Sequence, residues 1–355
     1  MKDIVLQEDL DNIADSTLPF DELYGKSILV TGATGLVGSQ TVMALLNMNA
    51  KKAADIKVYA LVRDENKARR IFGDADVSYV VQDVTEPVKL DEDIDYIIHA
   101  ASPTASKFFV THPVETISMA VNGTMNVLSF AAKKKVSGVV YLSSMEMYGI
   151  TDPSLEKVTE KDLGYIDVLN VRSSYSEGKR ICECICASYA KEYGVPVKIA
   201  RLAQTFGAGI PYEENRVFAQ FAKSAINHTD IVLHTKGESV GNYCYTRDVI
   251  KALLLLLVRG EAGESYTVAN EASSIAIKDM ARLVADELAD GSINVVFDIP
   301  EDALTYGYAP DVKMHLSSRK LQALGWKPEI SLLDTYKRMI KSMLLTRDYK
   351  DNADE

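Results

Sequence analysis

The chain has 355 residues, of which 47% are hydrophobic and 25% charged, and a formal net charge of −11 at pH 7. That length can bury a large core in one or two domains, and the composition is ordinary for a globular protein. The negative balance disfavours nonspecific attraction to nucleic acid or to an anionic membrane, so neither is expected as a partner.

The first residues carry acids where a signal peptide needs an apolar core. Residues 252–258, the longest apolar block, are too short to span a bilayer and read as a buried helix. The four cysteines make no disulfide framework. Cys182, Cys184 and Cys186 alternate in a helical pattern, with spacing that suits buried free thiols in a reducing cytoplasm better than a metal, so no metal is expected.

Residues 1–25 contain a polar helical stretch at 6–14 and are expected to pack on the main domain as an N-terminal extension. Apolar runs then recur at 27–31, 56–62, 79–81, 96–100, 139–143, 198–202 and 265–268, with helical patterns between them. Near-continuous apolar strands alternating with helices predict an α/β protein, a Rossmann-type doubly wound parallel sheet with right-handed crossovers. After Gln204 the pattern becomes irregular, and helices are expected at 216–226, 278–288 and 332–344. Residues 26–203 and 241–270 are therefore expected to form the sheet domain, and 204–240 and 271–345 a smaller mixed lobe. Residues 346–355, acidic and without apolar periodicity, are expected to be a mobile tail.

Thr31-Gly-Ala-Thr-Gly-Leu-Val-Gly38 follows the first strand and leads into a helix. Gly32, Gly35 and Gly38 suit a tight turn, a close approach of backbone to pyrophosphate, and close packing of helix on strand. The helix then presents free N–H groups to the phosphates. Downstream, Tyr175-Ser-Glu-Gly-Lys179 places a tyrosine and a lysine on one helix face. The ammonium there is expected to lower a phenol pKa from about 10, making a general base for an alcohol. After the second strand, Arg63 suits the 2′-phosphate of NADP or stacking over adenine. Asp64 beside it would repel that phosphate, so NAD is expected, with NADP as the alternative.

The glycine turn, the Tyr-x-x-x-Lys pair, Asn170-Val-Arg-Ser-Ser-Tyr-Ser-Glu-Gly-Lys-Arg180 and Ala200-Arg-Leu-Ala-Gln-Thr-Phe-Gly207 resemble the extended short-chain dehydrogenase/reductase family. Among its nucleotide-sugar epimerases, dehydratases and decarboxylases, the likeness is greatest to the UDP-glucuronate decarboxylases. It covers residues 26–336, and Leu324-Gly-Trp-Lys-Pro328 adds a structural turn. The resemblance implies oxidation of a sugar C4 hydroxyl to a transient 4-ketone, with Tyr175, Lys179, Ser144 and Glu146 as the catalytic set. It implies cofactor contacts from Gly32, Thr34, Gly35, Leu36, Val37, Gly38, Arg63, Asp83, Val84, Ala100, Ala101, Ser102, Asn122, Tyr175 and Lys179. It implies nucleotide-sugar contacts from Ser102, Arg172, Gln204, Arg216 and Asn242. His99 is expected to be a structural hydrogen-bonding residue.

Three positions depart from the pattern of these relatives. Met145 replaces an acid or a serine, and a thioether cannot donate the proton that elimination at C6 needs. Gln204 replaces an asparagine, and Asn242 stands where an arginine is usual, which leaves the nucleotide open. The alternatives to decarboxylation are 4-epimerisation, 4,6-dehydration and 4-keto reduction. A non-catalytic NAD(P)-binding redox sensor is the reading from another class, disfavoured because the serine, tyrosine and lysine are all kept. The resemblance also implies a homodimer built on helices at 116–133 and 174–193, where Ile117, Val121, Ile181 and Ile185 recur at helical spacing.

Overall fold

The computed structural model of the chain describes residues 3–299 and 312–351. The first half holds α1 (Ile4–Ala14), β1 (Ser27–Thr31), α2 (Leu36–Lys52), β2 (Lys57–Val62), α3 (Glu65–Phe72) and β3 (Ser78–Val81). It continues with β4 (Tyr96–His99), α4 (Ser106–Thr111), α5 (Pro113–Lys134), β5 (Gly138–Ser144), α6 (Ser174–Tyr193) and β6 (Val197–Leu202). Then come β7 (Gln204–Phe206), α7 (Val217–Asn227), β8 (Ile231–Leu233), β9 (Val240–Gly241), β10 (Tyr243–Tyr245) and α8 (Thr246–Arg259). The chain closes with β11 (Ser265–Val268), β12 (Ile275–Ala276), α9 (Ile277–Leu288), β13 (Val295–Phe297), α10 (Arg319–Gln322) and α11 (Leu332–Asp351).

Seven strands form one sheet in the order β11-β6-β5-β4-β1-β2-β3, and every neighbouring pair is parallel. All seven apolar runs read from the sequence are in it. Side chains alternate across the sheet as the two-residue strand period requires. Ile28, Val30, Ile98 and Val140 enter one core with α1, α2 and α8, whereas Leu29, Ile97, Val139 and Tyr141 enter the other with α5 and α6. Burial on both faces explains why these strands read as unbroken apolar runs. Strand order reverses between β1 and β4, so the crevice beyond their C-terminal ends is where this fold admits a ligand.

Among the described residues, three short two-stranded sheets form a mixed lobe: β7 with β10, β9 with β12, and β8 with β13. A separate core built on Phe206, Phe218, Tyr243 and Tyr336 holds the lobe together. Leu36, in the first turn of α2, packs against that core and joins it to the glycine turn.

The N-terminal extension packs into the main core: Leu10 and Ile13 are fully buried, and Asp3 caps α1 by accepting from the Val5 and Leu6 N–H groups at 3.0 and 3.1 Å. Several differences from the sequence reading have physical causes. The last helix runs to Asp351, so the boundary drawn at residue 346 falls inside a helix; residues 352–355 of the expected tail lie outside the described residues. Helix α4 was not foreseen, because it is too short to show a helical period. The apolar block at 252–258 lies in α8, and no helix among the described residues is long and apolar enough to cross a membrane.

Candidate functional site

The glycine turn leaves β1 at the reversal point of the sheet. Gly32 has a φ of +63°, and a Cβ there would lie 2.7 Å from the Ala101 nitrogen and 2.8 Å from the Ala100 carbonyl. Gly38 packs α2 so tightly on the turn that a Cβ would lie 2.3 Å from the Gly32 oxygen. Gly35 is the N-cap of α2 and supplies no side-chain acceptor, so the first N–H groups of the helix are left for another partner. Thr34, Leu36 and Val37 are half-buried around that opening. The residues fit a dinucleotide pyrophosphate: a cradle that any side chain would fill, at a helix N-terminus.

Beyond β2, Arg63 is exposed, and its Nη1 stands 3.9 Å from Oδ2 of Asp83. The other oxygen of Asp83 accepts from the Thr85 N–H at 2.9 Å and its hydroxyl at 2.7 Å, which lowers the carboxyl's pKa, with Arg63 adding to the effect. Asp64 is the N-cap of α3, accepting from the Lys67 N–H at 2.9 Å. It keeps its charge in that role, so the expected repulsion of a 2′-phosphate stands. The Val84 side chain is buried, and its carbonyl accepts from Asn126 Nδ2 at 3.1 Å.

Asn122, implied as a cofactor contact, is turned to solvent. It lies on the exposed face of α5 and donates to Ser118 Oγ at 3.0 Å. The helical period decides this, because Ala120, Gly123, Thr124 and Val127 take the buried face. Asn126, one turn further on, reaches the backbone through the Val84 carbonyl.

Ser144 ends β5 and caps the turn that follows, accepting from the Glu146 N–H at 3.2 Å. Tyr175 and Lys179 occupy successive turns at the start of α6. The Tyr175 ring stacks on Phe109 of α4, with centroids 4.3 Å apart and planes 7° from parallel. Lys179 is buried and donates to the Leu142 carbonyl of β5 at 2.7 Å, with its ammonium 5.7 Å from the Tyr175 ring centroid. Burial pushes this ammonium down to about 8. The phenol is raised above its usual range, first by burial and then by the Glu146 charge; a hydrogen bond with Ser144 and the charges of Arg172 and Arg216 act the other way. The expected depression of the phenol by Lys179 is therefore not what this arrangement produces. Desolvation beneath Phe109 outweighs it, and the ammonium is spent on a backbone carbonyl.

Around this centre the structure gathers residues from distant parts of the chain. Glu146 pairs with Arg172, Oε2 to Nη2 at 2.8 Å. The Arg172 guanidinium lies 5.0 Å from the Phe109 centroid, and its Nε is buried with no partner among the described residues. Arg216, at the N-cap of α7, pairs with Glu214 at 2.8 Å and lies near enough for its charge to reach Tyr175. Arg180 holds the 145–148 turn from behind, its Nε donating to the Met147 carbonyl at 2.7 Å. Ser143 donates to Glu183, which is locked by Arg201 at 2.7 Å. Phe109, Arg180 and Glu183 were not found in the sequence, because their roles arise only from pairing across elements.

Gln204, half-buried at the start of β7, donates its N–H to the Asn242 carbonyl at 3.2 Å. Asn242 itself does not face the site. It is fully buried; its Nδ2 donates to the Asn270 carbonyl at 2.9 Å and its Oδ1 accepts from the Leu316 N–H at 2.7 Å. Along this extended segment adjacent positions face opposite sides. Gly241 is the one turned toward Met145, where a Cβ would lie 3.4 Å from Cε. The reading was one residue out of register, which in a strand exchanges the two faces.

Sheet order, glycine turn and site position define a Rossmann-type dinucleotide-binding protein. The chain belongs to the NAD dependent epimerase/dehydratase family, whose profile matches residues 28–270, and it is an enzyme of that family. It is 28% identical over 306 residues to UDP-glucuronic acid decarboxylase 6 of Arabidopsis thaliana, covering 86% of this chain and 85% of that one. Among solved structures it resembles an epimerase from Methanothermobacter thermautotrophicus, with TM-score 0.78 and 21% identity over 96% of this chain and 98% of that one. It also resembles a dTDP-glucose 4,6-dehydratase from Bacillus anthracis in complex with NAD, with TM-score 0.74 and 18% identity over 91% and 98% of the two chains.

Proposed function

We propose that the protein is an NAD-dependent nucleotide-sugar enzyme that oxidises the sugar C4 hydroxyl to a transient 4-ketone, and that it decarboxylates a hexuronate in the manner of UDP-glucuronate decarboxylase. The observation that carries this reading is the convergence of Ser144, Tyr175 and Glu146 with two arginines at the C-terminal end of β5. Tyr175, which must first give up its own proton against the burial that raises it, takes the proton of the 4-hydroxyl while Ser144 bonds the same oxygen. The dinucleotide supplies acceptance and return of hydride. A 4-ketone makes a C5 carboxylate a β-keto acid, which loses carbon dioxide readily. Arg172 and Arg216 offer planar forks to a carboxylate or a diphosphate. The names of the curated relatives support decarboxylation, and Met145, buried and without a donor, disfavours elimination at C6.

NAD is preferred because internally recycled hydride needs no NADPH supply; Arg63, paired with Asp83 rather than free, is a weakened receptor for a 2′-phosphate. The substrate lobe is assigned to residues 204–240, 271–299 and 312–345, and β10 joins it by pairing with β7; residues 300–311 of the expected lobe lie outside the described residues. A homodimer is proposed on α5 and α6, where Ile117 and Ile181 are each 45% exposed. Incubating the protein with UDP-, dTDP-, GDP- and CDP-linked sugars, followed by mass analysis, tests the reaction. Loss of carbon dioxide from a nucleotide-linked hexuronate is expected, and conversion only of uncharged sugars to their 4-epimers would replace this reading.

A further inference from the structure

A chain of buried hydrogen bonds runs beneath the glycine cradle. The Ala101 N–H reaches Thr31 Oγ1 at 3.2 Å, and that hydroxyl lies 2.7 Å from His99 Nδ1. On the other side of the ring, His99 Nε2 lies 3.4 Å from Thr124 Oγ1. Thr124 donates to Cys182 Sγ at 3.3 Å, and Cys182 donates to the Ala120 carbonyl at 3.1 Å. Thr31, His99, Thr124 and Cys182 are all buried.

Proton counting fixes the direction of every link. A hydroxyl carries one proton and two lone pairs, and a neutral imidazole one N–H and one acceptor. Thr31 accepts from Ala101, and among the described residues His99 Nδ1 is the acceptor within reach for its own proton. Nδ1 must then be bare and Nε2 protonated, donating to Thr124, whose own proton goes to sulfur. Each group is satisfied with the imidazole neutral, and burial with the nearby Lys179 charge pushes its pKa down to about 3.

We propose that His99 is a positioning residue for the dinucleotide: held as the Nε2–H tautomer, it aims the Thr31 hydroxyl so that the Ala100–Ala101 turn stays pressed against Gly32. That turn is where Gly32 makes its closest backbone approach, 2.7 Å from an added Cβ to the Ala101 nitrogen. The far end of the chain reaches α5 at Ala120 and α6 at Cys182, one turn beyond Lys179. One relay therefore sets the cradle and the Tyr175–Lys179 helix relative to each other. The proposal rests on the dinucleotide reading of the cradle.

Two measurements test it. In full-length protein labelled with nitrogen-15 at histidine, His99 should show a bare Nδ1 and a protonated Nε2, unchanged between pH 5 and pH 8. The opposite tautomer, or protonation in that range, overturns the proposal. Titration with NAD should show affinity falling about tenfold in Thr31→Val, the equivalent of about 1.4 kcal/mol. Thr31→Ser, which keeps the hydroxyl, should bind within about twofold of wild type. Equal affinity in Thr31→Val, or a loss in Thr31→Ser as large as in valine, also overturns it. Should wild type bind neither NAD nor NADP while His99 shows the expected tautomer, the dinucleotide reading fails and the positioning role with it, leaving the relay as a structural feature.

Discussion

Lys179 is held at a cost that its replacement should reveal. Its ammonium is buried with the Leu142 carbonyl as hydrogen-bond acceptor, and burial takes its pKa from 10.5 to about 8. That difference corresponds to about 3 kcal/mol of unfavourable charging in the folded state. At pH 7 the group is still protonated, so the whole penalty is present. In Lys179→Met the side chain keeps its length and loses its charge, while the lost hydrogen bond returns about 1 kcal/mol. The variant should therefore be about 1–3 kcal/mol more stable than wild type in urea unfolding at pH 7. The sign with pH follows from proton linkage. Between about 8 and 10.5 the unfolded chain binds the proton and the folded one does not, so wild-type stability gains on the variant as pH rises and the gap closes. A variant less stable than wild type at pH 7, or a gap indifferent to pH, would refute the reasoning.

Tyr175→Phe should fold and bind dinucleotide as wild type does while turnover falls by about 10²-fold or more; near-normal turnover removes the phenol from the mechanism. Asn242→Ala should cost about 1–3 kcal/mol in denaturant unfolding because the Leu316 N–H and Asn270 carbonyl lose their partner. Its affinity for a nucleotide sugar should stay within about twofold, and a larger loss would return Asn242 to the site. Asp9 is raised from 3.8 to about 6 by burial, against the Tyr245 hydrogen bond and the charges of Arg338 and Arg247. A raised carboxyl binds its proton more tightly when folded, so its contribution is fully present below about 4 and is lost as pH rises through 6. The unfolding free energy of Asp9→Asn relative to wild type should therefore move in the variant's favour across that window, and a flat difference would contradict it.

Local pattern carried most of the architecture. Seven strands, the glycine turn and the Tyr175–Lys179 pair depend on neighbours within a turn or two, so apolar periodicity and glycine spacing suffice to place them. The same locality explains the failures. Asn122 and Asn242 were chosen by residue type at a motif position, but a helix turns about 100° per residue and a strand 180°. An error of a few residues in a helix, or of one in a strand, therefore moves a side chain to another face, and Asn126 and Gly241 hold the inward positions. Electrostatics at the centre was further out of reach. The phenol is raised by burial beneath Phe109 and by Glu146, and Lys179 is lowered by burial against β5. Desolvation depends on which distant segments close over a group, which only the tertiary structure decides.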